Sequence, residues 1–208
     1  MTPTNATAPP ARERRQEVRA RIVAAASELV RERSFQELSV ADVMELAGLE
    51  RTIFYRHFDD LADLLRQASR EAIDALYETE LDLSPVRDGN GSEAIRPAMR
   101  AAVKVYRRHG PLLRALAEAA PGDEQIASGH VALRRRFDDL VAASIKEMAP
   151  KADDRLGDVQ ETARALNTLN EAYLLEAFGH KPRVSIDSAV RTLSEIWAAV
   201  IERSSSRS

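Results

Sequence analysis

Apolar residues along this chain recur at every third or fourth position, and no segment shows the period of two that a half-buried strand requires. Val18, Ile22, Ala25, Ala26, Leu29 and Val30 form one stripe over about four turns, which predicts a first helix. A polar break at Arg33-Ser34 follows, then Phe35 and Leu38. Ser39 can N-cap a second helix, with Asp42 three residues on, where a capping-box acid belongs. Val40, Val43 and Ala47 share a face of that helix, and Gly48 stands where a left-handed residue without a Cβ ends it. A third helix is expected from Glu50 or Arg51 to His57, with Phe54 and Phe58 four apart on one face. Two helices this short are marginal alone, since isolated helices below about 12–15 residues hardly persist in water. They must pack on their flanks. Asp59 and Asp60 open the next helix, in which Leu61, Leu64, Leu65, Ala68 and Ile73 repeat at helical spacing.

The second half keeps the same period and is cut by punctuation. Ser84 to Ser92 reads as a loop rich in Pro and Gly. Helices are expected over 92–109, stopped by His109-Gly110-Pro111; over 112–120, stopped by Pro121-Gly122; over 124–148; over 153–179; and over 186–203. The domain layout that follows is a disordered arm at 1–14, a unit of short helices at 15–60 and a helical domain at 61–203. A connecting helix at 61–83 joins the two, and 204–208 form a disordered tail.

Composition narrows the functional classes. Hydrophobic residues make up 44% of the 208 and charged residues 30%, as in an ordinary globular protein able to bury a large core. There is no cysteine, which excludes disulfides, thiolate metal sites and cysteine nucleophiles. No apolar run is long enough to span a membrane and no apolar leader opens the chain, so a cytoplasmic protein without a membrane partner is expected. His57, His109, His130 and His180 form no H-x-x-x-H pair, and neither a G-x-S-x-G elbow nor a glycine-rich phosphate loop occurs. No catalytic residue, metal or cofactor is therefore expected, and the chain is read as not an enzyme. His109 is expected at a helix C-terminus, and His130 at the surface or a helix end.

Two short helices joined by a glycine turn over Ser39–Phe58 have the layout of a helix-turn-helix, which lays its second helix in the major groove. Residues 12–21 carry five arginines against two glutamates, net +3, whereas residues 39–58 carry Arg51 and Arg56 against Asp42, Glu45 and Glu50, net −1. The whole chain is at −3. Phosphate neutralisation supplies much of DNA affinity, so Arg12, Arg14 and Arg15 are expected to follow phosphates or the minor groove. The alternative is an arginine-rich helix start that is merely solvated. Arg51 first and Arg56 second are candidate base contacts, because a bidentate Arg–guanine pair is the commonest specific one. Thr52 is a candidate base or backbone contact, and Tyr55 and His57 are candidate phosphate donors.

The residues Ser39, Val43, Ala47-Gly48-Leu49 and Phe54-Tyr55-Arg56-His57-Phe58, set between a long helix and an apolar one, resemble the TetR-type bacterial transcriptional repressors. The resemblance implies an all-α TetR-type repressor fold: a three-helix helix-turn-helix DNA-binding domain plus a helical ligand-binding and dimerisation domain. It adds Ser39 to the expected DNA-contact set. Three positions depart from the family pattern. Glu50 stands where a serine-like cap is common, Ile53 where a threonine is, and Leu61 near a usual lysine; each change removes an expected phosphate contact.

In the helical domain, Asn167, Asn170 and Glu171 share one face of an otherwise apolar helix. Either they cap carbonyls or face water, or an amide orients a ligand in an apolar pocket. The run Ala165-Leu166-Asn167, Asn170-Glu171, Leu174 and Phe178, with Thr192-Leu193 and Ile196-Trp197, resembles the members of the same family that enclose a long, mostly aromatic ligand channel. That resemblance implies Asn167, Asn170, Leu174, Phe178 and Trp197 at a pocket, and a looser match adds Tyr106 and Phe137. The implied partners are double-stranded DNA with a palindromic operator and a small apolar or aromatic effector. The last two helices imply a homodimer, with Ala163, Leu166, Leu169, Val190, Leu193 and Val200 as its seam. Two other readings stand beside this ligand-relieved repressor: a ligand-sensing dimer with weak or partner-dependent DNA binding, and a helical enzyme or binding protein.

Overall fold

A computed structural model describes residues 11–78, 91–148 and 157–205. The described residues form nine α-helices and no strand. They are α1 (Ala11–Glu32), α2 (Val40–Ala47), α3 (Arg51–Phe54), α4 (Leu61–Ala68), α5 (Arg70–Tyr77), α6 (Gly91–Ala119), α7 (Glu124–Met148), α8 (Val159–Phe178) and α9 (Ile186–Ser205). Of the predicted loop at 84–92, arm at 1–14 and tail at 204–208, residues 84–90, 1–10 and 206–208 lie outside the described residues, while Gly91 and Ser92 open α6 rather than close a loop.

Helices α1 to α4 build the head. Ser39 and Asp42 close the expected capping box on α2, the Ser39 N–H donating to Asp42 at 2.8 Å and the Asp42 N–H to Ser39 Oγ at 3.2 Å. Gly48 is left-handed at φ 63°, as the turn demands of a residue without a Cβ. Arg21 of α1 donates to the Ala47 carbonyl at 2.6 Å and ties the turn to the first helix. Ile22, Val43 and Phe54 are fully buried at the centre, with Ala26, Met44, Phe58 and Leu64 around them. At about 1.5–3 kcal/mol per large apolar side chain, this core holds helices too short to persist alone.

The other helices form the body around α6, which packs along α9 and also touches α8, α1, α5 and α4. Its core includes Ile95, Val103, Ile145, Leu174, Leu193, Trp197 and Ile201. A joint core of Val30, Leu65, Ala115, Ala119 and Ile126 welds head to body.

Several boundaries differ from expectation or take their position from local contacts. Helix α1 starts at Ala11, so Arg12 and Arg14 lie in its first turn rather than in an arm; the strong helix formers after Pro10 carry the helix that far back. Helix α3 ends at Phe54, because Arg56 and His57 bond back to Ile53 and Phe54 at i−3 and tighten the last turn. The connecting helix is divided at Ser69, although the Ser69 N–H still reaches Leu65 and Ile73 still reaches Ser69. Helix α8 starts at Val159, where Asp158 caps it through the Gln160 and Glu161 amides; the expected start near 153 lies outside the described residues.

The largest difference is α6, which runs unbroken through His109-Gly110-Pro111 and holds both Pro97 and Pro111. His109 is accordingly inside a helix and not at its end. Gly110 meets the end of α8: a Cβ there would lie 2.2 Å from the Phe178 carbonyl oxygen. Close packing of the two helices overrides the proline's missing donor. Gly110→Ala is expected to lower stability by about 1–3 kcal/mol through this clash, read as a lower Tm in thermal unfolding of the purified protein.

Candidate DNA-reading head and ligand cavity

The head presents its polar side chains at the end of α3. Arg51 and Thr52 open that helix and are exposed, Tyr55 is 56% exposed, Arg56 is exposed and His57 half-buried. Tyr55 stands edge-on to the buried Phe54 ring at 5.3 Å, which orients an otherwise free phenol. The α1 arginines, distant in sequence, join this edge. Arg15 donates to the Arg56 carbonyl at 3.2 Å, and Arg19 lies 5.4 Å over the Phe58 ring. Burial holds the His57 imidazole below the usual histidine range, and the charges of Arg15, Arg19 and Arg56 push it the same way. His57 is therefore a neutral hydrogen-bonding group beside three guanidiniums. Arg12 and Arg14 are exposed further along α1.

Ser39 does not join the exposed set through its hydroxyl, which is committed to Asp42. Asp42 is held below the usual carboxylate range mainly by the Ser39 hydrogen bonds, with Arg33 adding to them. Two of the three departures from the family pattern have a structural account. Ile53 and Leu61 are half-buried against the head core, and only Glu50 is exposed, N-capping α3 without a side-chain hydrogen bond.

The body contains a two-chambered cavity. The larger chamber, about 320 Å³, lies among α4, α5, α6, α7 and α8; the smaller, about 100 Å³, lies among α5 to α8. Leu76, Tyr106, His130, Leu133 and Glu171 line both. Tyr106, Phe137, Asn167, Asn170 and Leu174 stand on the wall of the smaller chamber. Phe178 and Trp197 do not reach it. Both are 1% exposed inside the body core, because the seven-residue turn after α8 folds α9 back over them. Trp197 acts at one remove, donating its indole N–H to Asn170 Oδ1 at 3.0 Å. Asn170 Nδ2 reaches Met99 Sδ at 3.7 Å, and Asn167 Nδ2 donates to Asp138 at 2.8 Å.

His130, expected at the surface or a helix end, is half-buried on the cavity wall and bonded to Glu171, which Arg134 also approaches at 3.6 Å. The only sequence cue to this cluster is Glu171 sharing a face with the two asparagines. Arg66, Arg70 and Ile73 of the larger chamber carry no cue at all. The expected dimer seam is largely internal: Ala163, Leu166, Val190 and Leu193 are buried within the protomer and Val200 is half-buried, leaving Leu169 exposed. Side chains facing the core at 3–4 spacing cannot also face a partner.

Head and body meet at a polar node. Arg114 of α6, 8% exposed, donates to the Val30 carbonyl at 2.6 Å, the Arg33 carbonyl at 3.0 Å and the Gly179 carbonyl at 3.0 Å. It also pairs with Glu118. Glu118 in turn accepts from Ser34 Oγ and the Phe35 N–H, both at 2.8 Å.

The head matches the family model "Bacterial regulatory proteins, tetR family" over residues 22–68. The body matches "Transcriptional regulator EthR, C-terminal domain" over residues 95–202. The chain belongs to the TetR family of transcriptional regulators and carries an EthR-type C-terminal domain; it is a DNA-binding regulator and not an enzyme. It is 26% identical over 185 residues to the HTH-type transcriptional regulator EthR of Mycolicibacterium smegmatis, covering 86% of this chain and 83% of that one. It is 28% identical over 186 residues to EthR of Mycobacterium tuberculosis, covering 86% and 85%. Its fold is shared with the TetR-family regulator PfmR of Thermus thermophilus, at a TM-score of 0.67 and 19% identity over 86% of this chain and 97% of that one. A TetR-family regulator of Streptomyces coelicolor gives 0.63 and 19% over 91% and 82%. No helix among the described residues is long and apolar enough to cross a membrane.

The node sets a pH dependence. Burial alone would raise the Glu118 carboxyl, but hydrogen bonds from Phe35, Ser34 and Arg114, with the Arg114 charge, outweigh it and hold the group below the ordinary carboxylate range. A carboxyl depressed in the folded state stabilises above its unfolded pKa, and that stability is lost as pH falls through the folded value. Glu118→Gln is therefore expected to cost about 1–2 kcal/mol at pH 7. The difference from wild type should narrow as pH falls below 4.5, the ordinary value for a glutamate, read by urea unfolding at a series of pH values.

Proposed function

We propose that a homodimer of this chain represses transcription by holding a palindromic operator, and that a small, largely apolar molecule in the body cavity releases it. The observation that carries this reading is that one helix serves both sites. Leu61 and Leu64 of α4 pack in the head core, while Arg66 of the same helix lines the larger chamber. A ligand there bears on the helix that carries the head. The cavity's size and mostly apolar wall suit a small organic molecule.

On this reading Arg51 and Arg56 reach bases, and Thr52 a base or the backbone. Tyr55 and His57 reach phosphates, and Arg12, Arg14 and Arg15 extend the contact along the backbone. With a net charge of −3 the chain has no general attraction for DNA. Affinity rests on this local edge and falls steeply with salt. The homodimer uses the outer faces of α8 and α9, where Ala165, Leu169 and Ala172 and then Thr192, Ile196 and Ala199 are exposed at helical spacing. Small side chains there let two helix pairs approach closely, and a two-fold axis sets the heads about 34–36 Å apart for successive half-sites. Ile53 and Leu61, two of the three positions behind the weak-binding alternative, are half-buried against the head core, and Glu50 is the exposed one.

The test is a salt titration of the purified protein on DNA from beside its own gene, followed by gel shift. Arg51→Ala should weaken the complex by about 1–3 kcal/mol and relax sequence preference, whereas replacing Arg12, Arg14 and Arg15 with alanine should flatten the salt slope. No complex even at low salt would sink the repressor reading. A Leu169→Arg, Ile196→Arg variant should sediment as a monomer and lose the operator; a dimer that survives it places the interface elsewhere.

A further inference from the structure

The reading helix opens on three exposed side chains, Glu50, Arg51 and Thr52, while Ile53 and Phe54 turn toward the head core. In a helix-turn-helix it is the first residues of this helix that meet base edges. Glu50 is fixed there through its backbone. Leu49 before it packs on the head core and donates its N–H to the Met44 carbonyl at 3.0 Å, and the Glu50 carbonyl accepts from the Ile53 N–H at 3.0 Å. The Glu50 carboxylate makes no cap bond and has no partner among the described residues. Neighbouring acids of the head are used within it. Asp42 accepts from the Ser39 N–H, Asp60 from the Asp63 N–H at 2.7 Å, and Asp63 from the Asp59 N–H and from Gln67. Glu50 thus carries a free acceptor on a fixed backbone, beside Arg51. Against a phosphate this group is only repelled. Against base edges it can accept, and the major groove offers two donors, cytosine N4 and adenine N6. Guanine and thymine present acceptors there, and adenine sets its N7 acceptor beside its donor, so all three repel a carboxylate oxygen that cytosine welcomes.

We infer that Glu50 is a sequence-reading residue, whose carboxylate accepts a hydrogen bond from a cytosine N4 amino group at one position in each half-site. This rests on the operator reading proposed above, in which α3 lies in the major groove and Arg51 reaches a base. The acid in place of a serine-like cap then has a use. It removes a phosphate contact and adds discrimination, rejecting at one position the three bases that set an acceptor against it. Arg51 and Glu50 together read a donor and an acceptor pattern, whereas an arginine alone reads acceptors only.

The experiment is selection of bound duplexes from a DNA pool with a randomised central segment, by the full-length protein and its Glu50→Ala and Glu50→Gln variants. The enriched duplexes are sequenced and titrated by gel shift at one fixed, low salt concentration. Wild type should enrich cytosine at one position of each half-site. Glu50→Ala should lose that preference, keep the other enriched positions, and bind the wild-type consensus about tenfold more weakly. Glu50→Gln should admit adenine at the same position, because an amide pairs with both N6 and N7. If the carboxylate only repels phosphates, both variants keep the wild-type consensus and bind every duplex more tightly. That result overturns the reading by Glu50 and leaves operator binding standing. Enrichment of no sequence by wild type overturns both. Should Glu50→Ala not fold, Glu50→Gln keeps the size of the side chain and decides the matter alone: entry of adenine supports the cytosine contact, and an unchanged consensus overturns it.

Discussion

The buried guanidinium of Arg114 is the contact on which the relation of head to body depends. It reaches carbonyls at the C-terminal ends of two helices, Val30 and Arg33 at the end of α1 and Gly179 after α8, and its charge is balanced by Glu118 one turn along its own helix. The ends of helices leave carbonyls unpaired and carry partial negative charge, so a cation between two of them satisfies both at once. A planar fork with five donors suits this position and a lysine would not. Glu118 extends the same network into the turn after α1 through Ser34 and Phe35. Val30, Leu65, Ala115 and Ile126 add an apolar cluster to the same joint. The joint is therefore both apolar and directional.

That joint explains how a chain of net negative charge assembles a basic reading edge. The arginines of α1 are far in sequence from the helix they support, Arg15 and Arg56 being 41 residues apart. Yet α1 is fixed at its far end by Arg114 and along its length by the head core. Its exposed face then brings Arg15 and Arg19 beside Arg56 and His57. Of the three acids of residues 39–58, Glu45 and Glu50 are exposed, and the α1 arginines outweigh them at the edge. Glu45 lies on α2, and Asp42 is turned back to cap it.

The fold was legible because its periodicity is consistent and its caps are explicit. Ser39, Asp42, Gly48 and the Phe54–Phe58 pair each have one obvious local role, and each plays it. What was not legible depends on pairs distant in sequence. Gly110 and Pro111 read locally as a stop, and only the Phe178 carbonyl against Gly110 shows why the helix continues. Trp197 and Phe178 are large and aromatic on helices next to a cavity, but a stripe at helical spacing does not say which side of α8 is the pocket and which the core. Arg114 and Glu118 look like an exposed i,i+4 pair, whereas Arg114 is buried. The cavity's own cluster, His130 with Glu171, joins residues 41 apart.

Magnitudes limit how an effector can act through this structure. Coupling between a ligand site and a DNA site is typically about 1–3 kcal/mol. Opening the node would break three carbonyl hydrogen bonds from Arg114 as well as its pair with Glu118, and hydrogen bonds to a charged group are worth about 1.5–3 kcal/mol each. A ligand with ordinary coupling therefore cannot open the Arg114 node, and head and α6 must stay joined in both states. The compliance has to lie elsewhere between cavity and head. The connecting segment offers it at Ser69, where one residue separates α4 from α5 and a fully buried hydroxyl has no partner among the described residues. Arg66 on one side of that joint and Arg70 and Ile73 on the other line the same chamber. On the proposed mechanism, filling the chamber acts across Ser69 and turns the α4 end of the head, with the Arg114 node as its fixed point.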